Sequence, residues 1–89
     1  MRLDKFLKVS RLIKRRSLAK EFTDADRVLV NNKVAKPSKE LAVGDIITIR
    51  YGKKIIEVKV KELLNSTKKE DSFLMYELIS ETDNYQEGE

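Results

Sequence analysis

The spacing of apolar residues changes from a helical to an alternating pattern near Arg27, and this change limits the folds open to the chain. Before it, Leu3, Phe6 and Leu7 lie at positions i, i+3 and i+4, the spacing of one helical face. After it, apolar and charged side chains alternate along residues 56–61, as they do in a half-buried strand. Helices followed by strands predict an α+β domain.

Two short helices are predicted ahead of the strands. The first lies near residues 3–12, and Asp4 is placed to cap or charge its first turn. The second begins after Ser17, a residue type that favours the N-cap position. The predicted inner face of this second helix consists of Leu18, Phe22 and Ala25.

The basic run "KRR", residues 14–16, lies between these helices. An antiparallel helix pair would put this run at a corner, next to the exposed N–H groups that begin the second helix. Side-chain cations and helix-terminal amides would then face one point, which suits phosphate oxygens.

The residues after Arg27 predict a small twisted antiparallel sheet that packs one face on the helices. "RVLVNNKVAK" reads as a strand, a tight Asn-Asn turn and a return strand, since Asn tolerates positive φ. Gly44-Asp45 predicts a turn before the next strand, and Gly52 predicts a hairpin into "IIEVKVKELL".

The C-terminal segment admits two interpretations. Residues 66–67 offer a cap, and apolar side chains follow at intervals of three, at Phe73, Tyr76 and Ile79, which favours a short helix. Alternation in the same segment would also allow a strand. We expect a single domain over residues 1–81 and a disordered tail over 82–89.

The residue types in this chain exclude most catalytic chemistry. It has no His and no Cys, so the common general base, the thiolate nucleophile, disulfides and most zinc sites are absent. We therefore expect no enzyme, no cofactor and no metal. Charges interrupt "MRLDKFLKVSR" where a signal peptide would be apolar, and no run reaches the roughly 18 apolar residues of a membrane span. A soluble cytoplasmic protein is expected, without a membrane partner.

Charge is distributed unevenly along the chain. Residues 1–39 hold 12 Lys and Arg against 4 Asp and Glu, a balance of +8, whereas residues 40–89 hold 7 against 11, a balance of −4. This asymmetry predicts a polyanion partner on one side of the molecule. A basic half that only keeps a small domain soluble fits the composition equally well.

Four stretches in this order resemble the S4 (S-four) RNA-binding domain, whose helix pair and small sheet form the αL motif. They are "RLDKFL" at 2–7, "KRRSLAKEF" at 14–22, "RVLVNNKVAKPS" at 27–38 and "VGDIITI" at 43–49. The resemblance covers a core motif of about residues 1–52. The family usually has Gly where this chain has Asp26 and Asn32, and both substitutes tolerate left-handed backbone conformations at some cost.

Within that family, the chain is similar to small stand-alone proteins that act in ribosome quality control, and to the heat-shock-protein-15 class. This resemblance implies a monomer that binds ribosomal RNA of the large subunit and peptidyl-tRNA in the P site. It further implies a protein partner that recruits tRNA for alanine tailing of the stalled chain. The heat-shock class, which recycles large subunits carrying nascent chains, is the alternative.

The residues that we expect to contact RNA are the cations of the predicted helix pair and of the Asn-Asn hairpin. They are Arg2, Lys5, Lys8, Arg11, Lys14, Arg15, Arg16, Lys33 and Lys36. Arg guanidinium groups bind phosphate with two donors. Lys5, Lys8 and Arg11 follow one another at intervals of three, and we expect them to form a stripe that contacts the backbone of structured RNA. Asp4 and Ser17 are expected to cap a helix or to orient an arginine rather than to bind RNA.

Exposed aromatic side chains, which stack on unpaired bases in single-strand binders, are scarce in the basic half. Phe6, Phe22 and Phe73 are expected in the core and Tyr51 at its edge, so recognition of folded RNA through shape and phosphate is favoured. Two other function classes stay open: an enzyme, for which the only clustered acids are Glu70-Asp71 and the terminal ones, and an adaptor whose acidic half docks a protein.

Overall fold

The computed structural model describes residues 1–65 and 68–83, and in these ranges every side chain except those of Arg16, Lys69, Glu70 and Asp83. Two helices come first, α1 over Leu3–Val9 and α2 over Arg16–Asp24. Five strands follow: β1 Val28–Val30, β2 Lys33–Val34, β3 Ile46–Tyr51, β4 Lys54–Val60 and β5 Tyr76–Asp83. A 3₁₀ helix over Lys69–Met75 precedes β5. The predicted α+β class is confirmed.

The strands form one antiparallel sheet in the order β2-β1-β3-β4-β5, so that β2 and β5 are its edges. Both predicted hairpins are confirmed. Asn31 and Asn32 have φ values of +53° and +69°, as a two-residue type I′ turn requires, and Gly52 has a φ of +51° in the turn before β4.

The core lies between the helix pair and one face of the sheet. Helix α1 buries three large side chains because its apolar residues share one face, and β1, β3 and the C-terminal half of β4 bury every second residue. The core side chains that α1 and these strands bury fully or almost fully are Leu3, Phe6, Leu7, Val28, Val30, Ile47, Ile49, Val58 and Val60.

Helix α1 ends at Val9, three residues before the predicted end. Arg11 has a φ of +64°, which no α-helix accommodates, so the chain turns directly after Ser10. The N–H of Ile13 donates to the carbonyl of Leu7 at 3.0 Å and folds the connection back over the helix, which buries Ile13.

The prediction that Ser17 caps α2 is wrong, because the helix begins at Arg16 and Ser17 is its second residue. The predicted inner face is also wrong at two positions, since Leu18 is 38% exposed and Ala25 is exposed. Helix α2 instead buries Ala19 and Thr23, whose small side chains allow close approach to the core.

The C-terminal segment combines the two interpretations left open by its sequence. The helix is present only as the 3₁₀ helix, and residues 76–83 form β5. Met75 is the buried residue here, whereas Phe73 is 61% exposed, so the core assignment of Phe73 is wrong. Residues 82 and 83, predicted to be in the tail, still pair with β4. The cap at residues 66–67 and the rest of the tail, 84–89, lie outside the described residues, and the C-terminal domain boundary stays a prediction.

Candidate nucleic-acid interface

The connection between α1 and α2 carries exposed cations at its outer corner. Ile13 is turned inward and buried, and Lys14 and Arg15, which follow it, are exposed. Arg16 begins α2, but its side chain lies outside the described part of the structure. Arg15, the N-cap residue of α2, makes no side-chain hydrogen bond to the helix start, and the first turn contributes its backbone dipole to the same corner.

A cleft of about 310 Å³ opens at this corner, and we call it the corner cleft. Lys14 and Arg15 form one wall, and Ser17, Leu18 and Glu21 of α2 form the other. The corner cleft therefore combines two cations with one carboxylate. Such a mixed lining suits a phosphate that approaches from the cationic side.

The sheet holds this connection in place through an aromatic cluster. The hydroxyl of Tyr51 donates a hydrogen bond to the carbonyl of Leu12, and the Tyr51 ring contacts Phe22 of α2 at a centroid distance of 5.5 Å. The guanidinium of Arg27 lies 5.7 Å from the centre of the Phe22 ring. Burial, with a further contribution from Tyr76, raises the pKa of Tyr51 to about 12, so the phenol keeps its proton and remains a donor.

A second cleft, of about 360 Å³, lies along the β2 edge of the sheet, and we call it the lysine cleft. Its charged residues are all cations, namely Lys33, Lys36 and Lys39. Its remaining lining residues are Val30, Val34, Ala35 and Ser38, so no carboxylate opposes an anion there.

Helix α1 fixes the wall of the lysine cleft through its first two N–H groups. Leu3 donates to the carbonyl of Lys39 at 2.8 Å, and Asp4 donates to the carbonyl of Pro37 at 3.1 Å. These bonds use donors that a helix start otherwise leaves open. The segment that carries Lys36 and Lys39 is therefore attached to the start of α1.

Arg2 lies at the same end of α1, as its N-cap residue, and forms a β-bridge with Glu40. Its Nε lies 3.7 Å from Oδ1 of Asp4, a carboxylate that is 6% exposed. The same Asp4 oxygen accepts the N–H of Lys5 at 2.8 Å. Asp4 is thus a first-turn residue that faces Arg2, and it does not occupy the N-cap position.

The predicted stripe of Lys5, Lys8 and Arg11 is interrupted. Lys8 is exposed, and Lys5 is half-buried with its Nζ 3.5 Å from Oδ1 of Asn65. Arg11 lies beyond the end of α1 in a left-handed conformation, so it does not continue the helical row. Only Lys5 and Lys8 share the helix.

Most cations of the basic half have no carboxylate partner in the part of the chain that the structure describes. Within the described residues, no ion pair involves Lys8, Lys14, Arg15, Lys20, Arg27, Lys33, Lys36 or Lys39. In contrast, Lys54 on β4 pairs with Glu81 at 2.7 Å. A positive field that is not neutralised internally favours the approach of a polyanion.

Sequence reasoning missed two cations. Lys39 completes the lysine cleft, and its only signal was a third Lys at an interval of three after Lys33 and Lys36. Arg27 was assigned to the start of a strand, but it stacks on Phe22. No local sequence pattern predicts the contact between Arg27 and Phe22, because it depends on the turn that joins α2 to β1.

The cations that line the two clefts give both of them a positive charge that attracts anions. Among the residues that the structure describes, no group of three Asp or Glu side chains is placed to hold a metal ion. No described helix is long and apolar enough to cross a membrane.

Comparisons with known proteins give consistent results. A family model, the S4 domain, matches residues 1–47 of this chain. A protein of Streptococcus pneumoniae named RQC P-site tRNA stabilizing factor is 58% identical over 82 residues, which are 92% of this chain and 93% of that protein. A protein of the same name from Bacillus subtilis is 53% identical over 81 residues, 91% of this chain and 94% of that protein.

Among solved structures, heat shock protein 15 of Vibrio cholerae, described as trimeric, superposes with a TM-score of 0.84. It is 30% identical, and the match covers 90% of this chain and 82% of that one. The similarity thus extends well beyond the segment matched by the family model, into the strands that follow it.

Proposed function

The chain belongs to the S4 domain family, and from this premise we propose that it is a non-catalytic RNA-binding factor of bacterial ribosome quality control. It acts in the cytoplasm on large ribosomal subunits that still carry peptidyl-tRNA. There it contacts ribosomal RNA and P-site tRNA, and it stabilises the tRNA while a partner factor recruits tRNA for alanine tailing of the stalled chain.

One observation carries this proposal: the 58% identity to the Streptococcus pneumoniae factor extends over 92% of the chain. Residues outside the S4 segment are therefore also similar. The unpaired cations of the corner cleft and the lysine cleft support the proposal, because phosphate contacts supply most of the affinity of proteins for structured RNA.

In the proposed mechanism the protein acts by binding two RNA molecules at once and catalyses no reaction. Lys14 and Arg15 at the corner cleft and the three cations of the lysine cleft contact phosphates of two RNA molecules, and the added contacts slow release of the tRNA. If about six phosphates are neutralised, affinity falls by about three powers of ten between 50 and 200 mM salt. Binding that does not respond to salt would contradict this mechanism.

Sucrose-gradient fractionation of the tagged protein tests the proposal. We expect it to migrate with large subunits that carry peptidyl-tRNA, and we expect Arg15→Glu to remove it from those fractions. Lys61→Glu is the matched control, since Lys61 is an exposed lysine of the acidic half that forms no ion pair with any described residue. Migration with small-subunit precursors, or unchanged migration of the Arg15→Glu variant, would contradict the proposal.

Recycling of large subunits in the manner of heat shock protein 15 is the second candidate, and the TM-score of 0.84 to the Vibrio cholerae protein favours it. The two functions differ in one readout. If the first is right, deletion of the gene abolishes alanine tails on stalled chains, whereas tails persist if the protein only recycles subunits. We propose a monomer, which sedimentation equilibrium checks against the trimer described for the Vibrio cholerae protein.

A further inference from the structure

Exposed apolar side chains are concentrated in the segment that forms the end of the 3₁₀ helix and the start of β5. Seven large apolar side chains are exposed among the described residues, and four of them lie within residues 73–79. Phe73 is 61% exposed, Leu78 53% and Ile79 49%, and Leu74 is the fourth. This concentration lies outside both cationic clefts and has no role in the proposed RNA contacts.

An irregularity in the sheet places two of these residues side by side. Leu78 pairs with Val58, but the next pair joins Ser80 to Glu57, so Ile79 has no partner on β4. The extra residue is a β-bulge, which re-aims side chains and is common at sheet edges. As a result Leu78 and Ile79 are both exposed, although strict alternation would expose only one of them.

The backbone of this segment is also available for pairing. Strand β5 lies last in the sheet order and pairs only with β4 among the described residues. An edge strand presents unpaired N–H and C=O groups along its outer side, and a further strand can add there. With eight residues, Tyr76–Asp83, β5 is the longest strand of the sheet.

Charge decides which occupant fits this edge. Residues 70–83 contain five acidic residues and no Lys or Arg, and although Lys54 of β4 pairs with Glu81, the segment keeps a net negative charge that disfavours RNA. A second copy would bring the same acids to the shared edge, and like charges opposite each other destabilise strand pairing. An extended polypeptide with alternating basic and apolar side chains satisfies the carboxylates, the apolar residues and the backbone together.

We propose that the β5 edge, defined as Phe73, Leu78, Ile79 and the outer backbone of Tyr76–Asp83, docks a basic, apolar segment of a partner protein by strand addition. This surface is separate from the RNA contacts, and the proposed function stands whether or not the β5 edge is occupied. It gives the acidic half of the chain a role of its own.

NMR titration of the full-length ¹⁵N-labelled chain tests the proposal. The probe is a synthetic seven-residue peptide of alternating valine and lysine, and the control peptide alternates valine and glutamate. We expect the lysine peptide to shift amide resonances of residues 73–83 and the glutamate peptide to leave them unchanged. No shift, equal shifts with both peptides, or shifts confined to the β2 edge would overturn the proposal.

A pair of variants makes the test specific. Ile79→Lys adds a like charge to the docking surface and should weaken binding of the lysine peptide at least about tenfold. Val43→Lys introduces the same charge at another exposed β-branched apolar residue, 64% exposed in the turn before β3, and should leave the peptide affinity unchanged. Both variants should keep the wild-type affinity for RNA. Equal peptide binding by the two variants would contradict the assignment.

Photocrosslinking identifies the occupant in the cell. The photoreactive residue p-benzoylphenylalanine replaces Ile79, and the products are isolated with the large subunit and mapped by mass spectrometry. A crosslink to a Lys- or Arg-containing segment of another protein, lost when Glu77, the exposed acid of β5 next to Leu78, is changed to Lys, supports the proposal. Crosslinks to RNA, to a second copy of the chain or to its own residues 84–89 would each overturn it.

Discussion

The hydroxyl of Tyr51 on β3 donates a hydrogen bond to the main-chain carbonyl of Leu12, in the connection that carries Lys14 and Arg15. This bond joins the sheet to the cationic corner across 39 residues of sequence. The position of the corner therefore depends on the sheet as well as on the helices. The Tyr51 hydroxyl is the group on the sheet that holds the corner.

Tyr51→Phe removes this hydrogen bond and keeps the ring that contacts Phe22. We expect the free energy of unfolding to fall by about 1 kcal/mol, the net contribution of one hydrogen bond. Because the corner becomes less constrained, affinity for tRNA and the salt slope of binding should both decrease. Thermal unfolding and filter binding between 50 and 200 mM salt measure these effects.

Tyr76→Phe is the matched control, because Tyr76 is also half-buried but its hydroxyl forms no hydrogen bond among the described residues. Tyr76→Phe should change the free energy of unfolding by no more than a few tenths of a kcal/mol, and it should leave the salt slope of RNA binding unchanged. If Tyr51→Phe loses stability but retains the wild-type salt slope, the bond is structural only and does not position the cations.

The pKa of Tyr51 predicts a loss of stability at high pH. Burial, and secondarily Tyr76, raises this pKa from 10.0 to about 12 in the folded chain. Between these values the folded state keeps a proton that the unfolded state has released, so the contribution is complete below pH 10 and is lost as pH rises toward 12. Urea unfolding at several pH values should show a decline in this window that is smaller in Tyr51→Phe. Equal declines in the two proteins would contradict the assignment.

Charge reversal in the lysine cleft should weaken RNA binding uniformly across RNA sequences. Lys36→Glu and Lys39→Glu each remove one proposed phosphate contact, so each should reduce the salt slope of binding by about 1. Lys61→Glu, the exposed lysine of the acidic half, should leave the slope unchanged. Equal losses in all three variants would mean that net charge, and not the cleft, determines affinity.

The parts of the fold that depend on local patterns could be predicted from the sequence. The alternation of apolar and polar residues predicts the strands. The Asn31-Asn32 pair predicts a tight turn, and both residues have the positive φ values that this turn requires. Helix boundaries were less predictable. The left-handed conformation of Arg11 ends α1 early. An arginine does not by itself predict such a conformation, because the turn accompanies the burial of Ile13 two residues later.

The candidate site could be predicted only as a set of cations, not as an arrangement. The sequence supplied Lys33 and Lys36, but Lys39 joins them because the first N–H groups of α1 bind carbonyls of its own segment. Similarly, Leu18 has the spacing of an inner residue, yet the smaller Ala19 faces the core because the helix packs closely. Such choices arise from long-range contacts, which periodicity does not record.

The two turn asparagines should respond oppositely to glycine. Asn32 has a φ of +69° and no hydrogen bond of its side chain is described, so Asn32→Gly should relieve backbone cost and stabilise the chain by about 0.5 kcal/mol. Asn31 has a φ of +53°, but its Oδ1 accepts the N–H of Ile46 at 3.0 Å and its Nδ2 donates to Asp45 at 3.2 Å. Asn31→Gly should therefore destabilise by about 1–2 kcal/mol. Thermal unfolding of both variants checks the signs, and stabilisation by both would show that the Asn31 side chain contributes nothing.

The contact between Arg2 and Asp4 predicts that a nearly buried acid supports RNA binding indirectly. Nε of Arg2 lies 3.7 Å from Oδ1 of Asp4, and the carboxylate restricts the directions available to the guanidinium. Arg2→Ala should weaken binding to large subunits about tenfold, the effect of losing one charge-assisted contact of about 1.5 kcal/mol.

A double-mutant cycle separates orientation from stability in this pair. Asp4→Asn should weaken RNA binding in the wild-type background but have little further effect in Arg2→Ala, because the side chain it orients is then absent. Thermal unfolding runs in parallel, since Oδ1 of Asp4 also accepts the N–H of Lys5 at 2.8 Å and its loss lowers stability in either background. If the two losses of RNA affinity simply add, Asp4 does not act through Arg2.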